Sequence, residues 1–125
     1  MLEQPNFDEN DQATVYVNYL MHDQRNNQKH GRLFVFPKTY GFTITKDQYE
    51  SLNGHNFVIL MTNQPEQDEK IVAGYISGYG PTNPNHKPIK HLRHVKMNPI
   101  ERKVVRRFQR LVENGQIKLN PEFSE

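Results

Sequence analysis

The chain has 125 residues, 34% hydrophobic and 24% charged, with a mean hydropathy of −0.89, which fits one domain around a modest core. It holds no cysteine, so disulfide scaffolds and thiolate metal centres are excluded. The formal net charge of +2 conceals a segregation: residues 1–85 carry 6 Lys and Arg against 10 Asp and Glu, whereas residues 86–118 carry 10 against 2.

The apolar runs Phe57 to Met61 and Leu33 to Phe36 fall far short of the roughly 20 residues a membrane span requires. The start, MLEQPNFDEND, has neither the basic flank nor the apolar stretch of a secretory leader. The expectation is a soluble cytoplasmic protein without membrane contact.

In chain order, residues 1–11 are acidic and polar and are expected to form a flexible arm, with residues 12–119 as one domain and 120–125 as a tail. From Ala13 to Met21, Val15, Val17, Tyr19 and Met21 alternate with the opposite face, the period of a strand. The polar stretch His22 to Gly31 reads as a long turn into a second strand, Arg32 to Phe36, ended by Pro37, and the pair as an antiparallel hairpin.

Thr45 and Gln48 have the spacing of a capping box, so Lys46 to Asn53 is expected as a short helix stopped by Gly54. Asn56 to Thr62 is the most continuously apolar strand and is expected in the middle of the sheet. After a loop from Asn63 to Glu69, Lys70 to Ser77 returns as a strand in which Gly74 marks a bulge or close packing. Residues 78–90, GYGPTNPNHKPIK, are too rich in Gly and Pro for long regular structure and read as a presented loop.

The sharpest signal is NPIERKVVRRFQRLVENG, residues 98–115. Asn98 can cap a first turn, Pro99 suits the first helical position, Glu101 can reach back to Asn98, and Gly115 supplies the stop. At about 100° per residue, Ile100, Leu111, Val104, Phe108, Val112 and Val105 share an arc of roughly 140°, opposite the basic residues. Packing on the sheet is therefore expected through Ile100, Val104, Phe108 and Leu111. A short strand at Gln116 to Leu119 is expected to follow.

The opposite arc holds Arg102, Lys103, Arg106, Arg107 and Arg110. Four-residue spacing makes Arg102, Arg106 and Arg110 repel one another, as do Lys103 and Arg107, by roughly 0.2 to 0.5 kcal/mol per neighbouring pair. A polyanion along this face would relieve that repulsion, whereas a solvated face would not. With Lys87, Lys90, Arg93 and Lys96 from the preceding segment, these residues form the candidate nucleic-acid-binding set. Exposed Tyr16, Tyr40 or Tyr79 would add stacking to a single strand.

An acidic protein surface is the alternative partner, and a small nuclease a third reading. His86, His91 and His94 lie within nine positions, but their spacing matches neither a helical histidine pair nor a zinc finger, so neither a metal site nor a cofactor is expected and the three join the basic surface. No spacing of Ser, His and Asp selects a catalytic set. The sequence as a whole predicts an α+β fold: a mainly antiparallel sheet of about four strands, one short helix and the long basic helix packed on the sheet.

Overall fold

The computed structural model describes residues 4–23, 32–64, 67–89 and 91–117. The chain forms β1 (Gln12–Asp23), β2 (Arg32–Thr45), α1 (Lys46–Ser51), β3 (Phe57–Gln64), β4 (Gln67–Gly80), β5 (Lys87–Pro88), β6 (His91–His94) and α2 (Pro99–Glu113). The fold is α+β, with six strands where about four were expected. Their order is β5-β2-β1-β4-β3-β6, antiparallel throughout except where β5 runs parallel to β2.

This order forces the sheet to curl. β5 and β6 stand at opposite edges, which in a flat six-stranded sheet would be about 24 Å apart. Yet Pro88 and His91 are three residues apart in sequence, and three peptide units reach only about 11 Å. The edges therefore approach one another and the sheet becomes a half-barrel.

The enclosed face carries the main core. Ala13, Val15 and Val17 of β1 pack with Phe42 and Ile44 of β2, Val58 of β3 and Ile76 of β4. Ile89 and Leu92, from the two edges, join the same cluster, as does Leu52 at the end of α1. Full burial of each aliphatic side chain is worth about 1.5 to 3 kcal/mol, so this cluster supplies most of the driving force. The outer face holds a smaller core, in which Leu20, Val35 and Tyr75 meet Val105 and Phe108 of α2.

Several expectations hold. β1 and β2 form the antiparallel hairpin, although residues 24–31 of the turn lie outside the described residues. The Thr45 and Gln48 capping box is present, with Gln48 N donating to Thr45 Oγ1 at 3.2 Å and Thr45 N donating to Gln48 Oε1 at 2.9 Å. Asn53 and Gly54 adopt positive φ beyond α1, at 51° and 78°.

Others are corrected by pairing that local sequence does not show. β2 continues through Pro37 because the ladder breaks there: Asn18 pairs with Thr39 and Leu20 with Val35, so three residues of β2 face Tyr19 alone. At such a bulge the missing Pro N–H has no ladder partner to lose. β3 is an interior strand, as its apolar run suggests, paired with β4 on one side and β6 on the other, while β1 and β4 take the two middle positions. The β4 irregularity falls at Ser77, between the Tyr16–Gly78 and Val17–Ile76 pairs, rather than at Gly74. β3 and β4 extend to a Gln64–Gln67 pair, so the expected loop from Asn63 to Glu69 is mostly strand, with 65–66 outside the described residues.

The expected loop 78–90 is an exposed loop only over residues 81–85, and the residues flanking it are tied to the sheet. β4 runs to Gly80, β5 pairs Lys87 with Phe42 and Pro88 with Thr43, and Ile89 N donates to Thr43 O at 3.1 Å. From Phe7 onward the N-terminal segment makes defined contacts. The Phe7 ring meets Tyr49 edge-on at 5.6 Å, and Asp8 accepts from the backbone N–H groups of Asn10 and Gln12. Gln116 and Ile117 form a bend instead of a strand, and residues 118–125, including the rest of that expected strand and the tail, lie outside the described residues.

Candidate functional site

Helix α2 is fixed at both ends by its own sequence. Glu101 N donates to Asn98 Oδ1 at 2.8 Å and Asn98 N donates to Glu101 Oε1 at 2.9 Å, the reciprocal box expected, with Pro99 opening the first turn. At the other end Gln116 N and Ile117 N both donate to Leu111 O, at 2.9 and 3.1 Å, over Gly115 at φ 75°. The side chains along α2 are thus carried on a rigid rod.

The rod is turned from the expected orientation. Val105 and Phe108 are buried, Val104 and Val112 pack beside them, and Gln109 Nε2 donates to the Tyr75 hydroxyl. Ile100, expected in the core, is 68% exposed. At about 100° per residue Ile100 and Leu111 lie roughly 60° to 80° to one side of Phe108, so the sheet takes one flank of the apolar arc and leaves the other open. That open flank faces Leu33 and Phe34 of β2 across a cleft of about 580 Å³, bordered by Lys103 and Arg107.

Opposite the buried flank, Arg102, Lys103, Arg106, Arg107 and Arg110 are all exposed and line, with Pro99, one shallow depression of about 750 Å³. Eight residues separate Arg102 from Arg110, about 12 Å along the axis. Among the described residues none of the five forms an ion pair, and Glu101, the nearest acid in sequence, spends its carboxylate on the Asn98 N–H. Among the described residues nothing offsets the like-charge repulsion that the four-residue spacing implies.

The remaining basic residues of the set are spread around it. Lys96 is exposed two residues before the Asn98 cap, and Arg93 is exposed on the edge strand β6, so both lie on the approach to α2. Lys87 is exposed on β5 opposite Phe42, whereas the helix meets β2 at Val35; seven strand residues put them roughly 20 Å apart. Lys90 lies outside the described residues.

The histidines do not converge. His86, expected on the basic surface, is buried, with Nδ1 3.0 Å from Thr14 Oγ1 and its carbonyl accepting from Thr43 Oγ1 at 3.2 Å. Burial holds its imidazole below the ordinary histidine pKa of 6.5. His91 is exposed on β6, and His94 stacks on His55 with ring centroids 4.6 Å apart. Among the described residues no group of three His, Cys, Asp or Glu side chains is placed to hold a metal ion.

The tyrosines expected to stack on bases are engaged internally. Tyr79 meets Tyr49 edge-on at 5.4 Å, and burial, helped by Tyr49, pushes its hydroxyl up to about 12. Tyr40 stacks on Tyr19 at 4.8 Å, and Tyr16 lies edge-on to His86 and against Gly80. No family model, curated protein or solved structure matches the chain. No helix among the described residues is long and apolar enough to cross a membrane.

Two features escaped the sequence reading. The apolar cleft was hidden because Ile100 and Leu111 fit the same arc as the buried residues. The polar knot around fully buried Asn18 left a faint trace, an Asn in the mainly apolar run from Val15 to Met21; Thr39 Oγ1 and Ser77 Oγ both donate to its Oδ1, at 3.1 and 2.9 Å.

Proposed function

We propose that this protein binds nucleic acid through the cationic face of α2, with Arg102, Lys103, Arg106, Arg107 and Arg110 as phosphate contacts and Arg93 and Lys96 extending the path. The observation that carries the reading is the alignment of five exposed cations, without an ion-pair partner among the described residues, along one depression on a doubly capped helix. Capping fixes their spacing before a ligand arrives, so little ordering entropy is lost on binding. At 3.4 Å of rise per nucleotide, the 12 Å or so from Arg102 to Arg110 matches about three to four phosphates of one strand.

A polyanion also removes the repulsion that the free helix carries at four-residue spacing. The tyrosines are held in internal ring contacts, so affinity rests on backbone charge and shape more than on base stacking. Lys87 stands apart from this path on β5, leaving α2 and its approach as the contact surface.

The test is a fluorescence titration with random single- and double-stranded DNA and RNA across a salt series. Log affinity should fall with log salt with a slope of roughly −3 to −4, for about four phosphates. Arg106→Ala/Arg110→Ala should flatten the slope by up to about one unit per residue. No binding at low salt would discard the reading.

The exposed apolar flank at Ile100 favours a second reading, in which this side of the helix meets protein.

A further inference from the structure

We infer that the cleft between the Ile100–Leu111 flank of α2 and Leu33–Phe34 of β2 docks an acidic amphipathic helix of a protein partner. The inference does not rest on nucleic-acid binding, because it concerns the other side of Lys103 and Arg107. It starts from an apolar flank that none of the described residues covers. Val105 and Phe108 satisfy the sheet, while Ile100 stays 68% exposed beside partly exposed Leu111 and Phe34.

The dimensions fit a helix. From Ile100 to Leu111 the flank runs eleven residues, about 16 Å, or three turns of a partner helix laid alongside. The opposing wall is the end of β2, so the site is a trough between a helix and a strand, the setting in which an amphipathic helix inserts anchors at i, i+3, i+4 and i+7. The cleft volume of about 580 Å³ admits several aliphatic side chains but is shallow enough to need a continuous stripe.

Charge decides what accompanies those anchors. Lys103 and Arg107 line the apolar cleft and the cationic depression alike, one turn apart on the shared rim. Carboxylates at i and i+4 on the partner have the same spacing and would meet both cations while its apolar stripe fills the trough. A second copy of this chain does not fit, because a two-fold contact here would bring the two Lys103 and Arg107 rims together. A nucleic acid does not fit the trough either: its walls are mainly aliphatic, its aromatics Phe34 and Phe108 are half-buried and buried, and it has no row of amides or hydroxyls to read base edges.

The two surfaces thus share one edge and should compete there. A partner helix occupying Lys103 and Arg107 would leave Arg102, Arg106 and Arg110 for phosphates.

The experiment uses the full chain, isotopically labelled, and a fluorescein-labelled designed peptide of about 14 residues with Leu at i, i+3, i+4 and i+7 flanked by Glu. A scrambled peptide of identical composition is the control. The expected result is micromolar binding that moves amide signals at Leu33, Phe34, Ile100 and Leu111 and exceeds the scrambled peptide by about tenfold. Ile100→Ser should weaken the peptide about tenfold while leaving single-stranded DNA affinity and thermal midpoint unchanged. Arg106→Ala/Arg110→Ala should do the reverse, weakening DNA and sparing the peptide.

Equal binding of the two peptides, or shifts confined to Arg102, Arg106 and Arg110, would overturn the proposal in favour of bare charge attraction. So would absence of binding, or oligonucleotide-induced shifts centred on Ile100 and Phe34. A fall of several degrees in the thermal midpoint of Ile100→Ser would also overturn it, because the cleft would then be covered by the chain itself.

Discussion

Asn18 donates its side-chain amide to the Phe36 carbonyl at 3.0 Å, across the point where the β1–β2 ladder breaks. The same amide reaches Pro37 O and Lys38 O at 3.3 Å, so the carbonyls released by the bulge are gathered by one fully buried side chain. Asn18→Ala would leave those carbonyls and the hydroxyls of Thr39 and Ser77 without this partner. The expected loss is about 2 to 4 kcal/mol, read by urea denaturation. Asn18→Asp should be worse at neutral pH, because a carboxylate would face three carbonyl oxygens.

The orientation of α2 is testable by truncation. Phe108→Ala should destabilise by about 3 to 5 kcal/mol and Val105→Ala by somewhat less, since both are buried against the sheet. Ile100→Ala should change stability by no more than about 0.5 kcal/mol. Equal losses at Ile100 and Phe108 would restore the orientation expected from the sequence.

His86 gives the fold a pH dependence of known sign. Burial lowers its folded pKa below the unfolded value of 6.5, so below that value the unfolded chain takes up a proton that the folded chain resists. Its contribution is fully present above about pH 6.5 and is lost progressively as pH falls from there through the lower folded pKa. Urea midpoints measured from pH 8 to 5 for the protein and for His86→Gln should diverge above pH 6.5 and converge below it. A constant difference across that range would remove the assignment.

The uncompensated cations should destabilise the free protein. Arg106→Glu replaces two repulsive neighbours, Arg102 and Arg110, by two attractive pairs. Stability should rise by about 1 kcal/mol at low salt, with the gain shrinking near 1 M salt, where charges are screened within about 3 Å. The same variant should bind nucleic acid more weakly, so stability and affinity should move in opposite directions.

The Asn98 box should matter in proportion to its hydrogen bonds. Asn98→Ala removes one acceptor for the Glu101 N–H, and a loss of about 1 kcal/mol is expected in thermal unfolding. Asn98→Ser or Asn98→Asp should restore most of it.

The sequence by itself determined what depends on residues a few positions apart. Both capping boxes, Thr45 with Gln48 and Asn98 with Glu101, the Gly115 stop, the β1–β2 hairpin and the cationic arc of α2 were all legible, because a cap or a helical period is complete within one or two turns. The tertiary structure decided the rest. β5 is two residues long, too short to show alternation, and exists because Phe42 and Thr43 offer it an edge from 45 positions away. The buried state of His86 follows from Thr14, 72 residues earlier. The rotation of α2 was undetermined locally because its apolar arc, roughly 140° wide, exceeds the stripe one sheet face covers; Val35 and Tyr75 chose the Val105–Phe108 flank and left Ile100 to solvent.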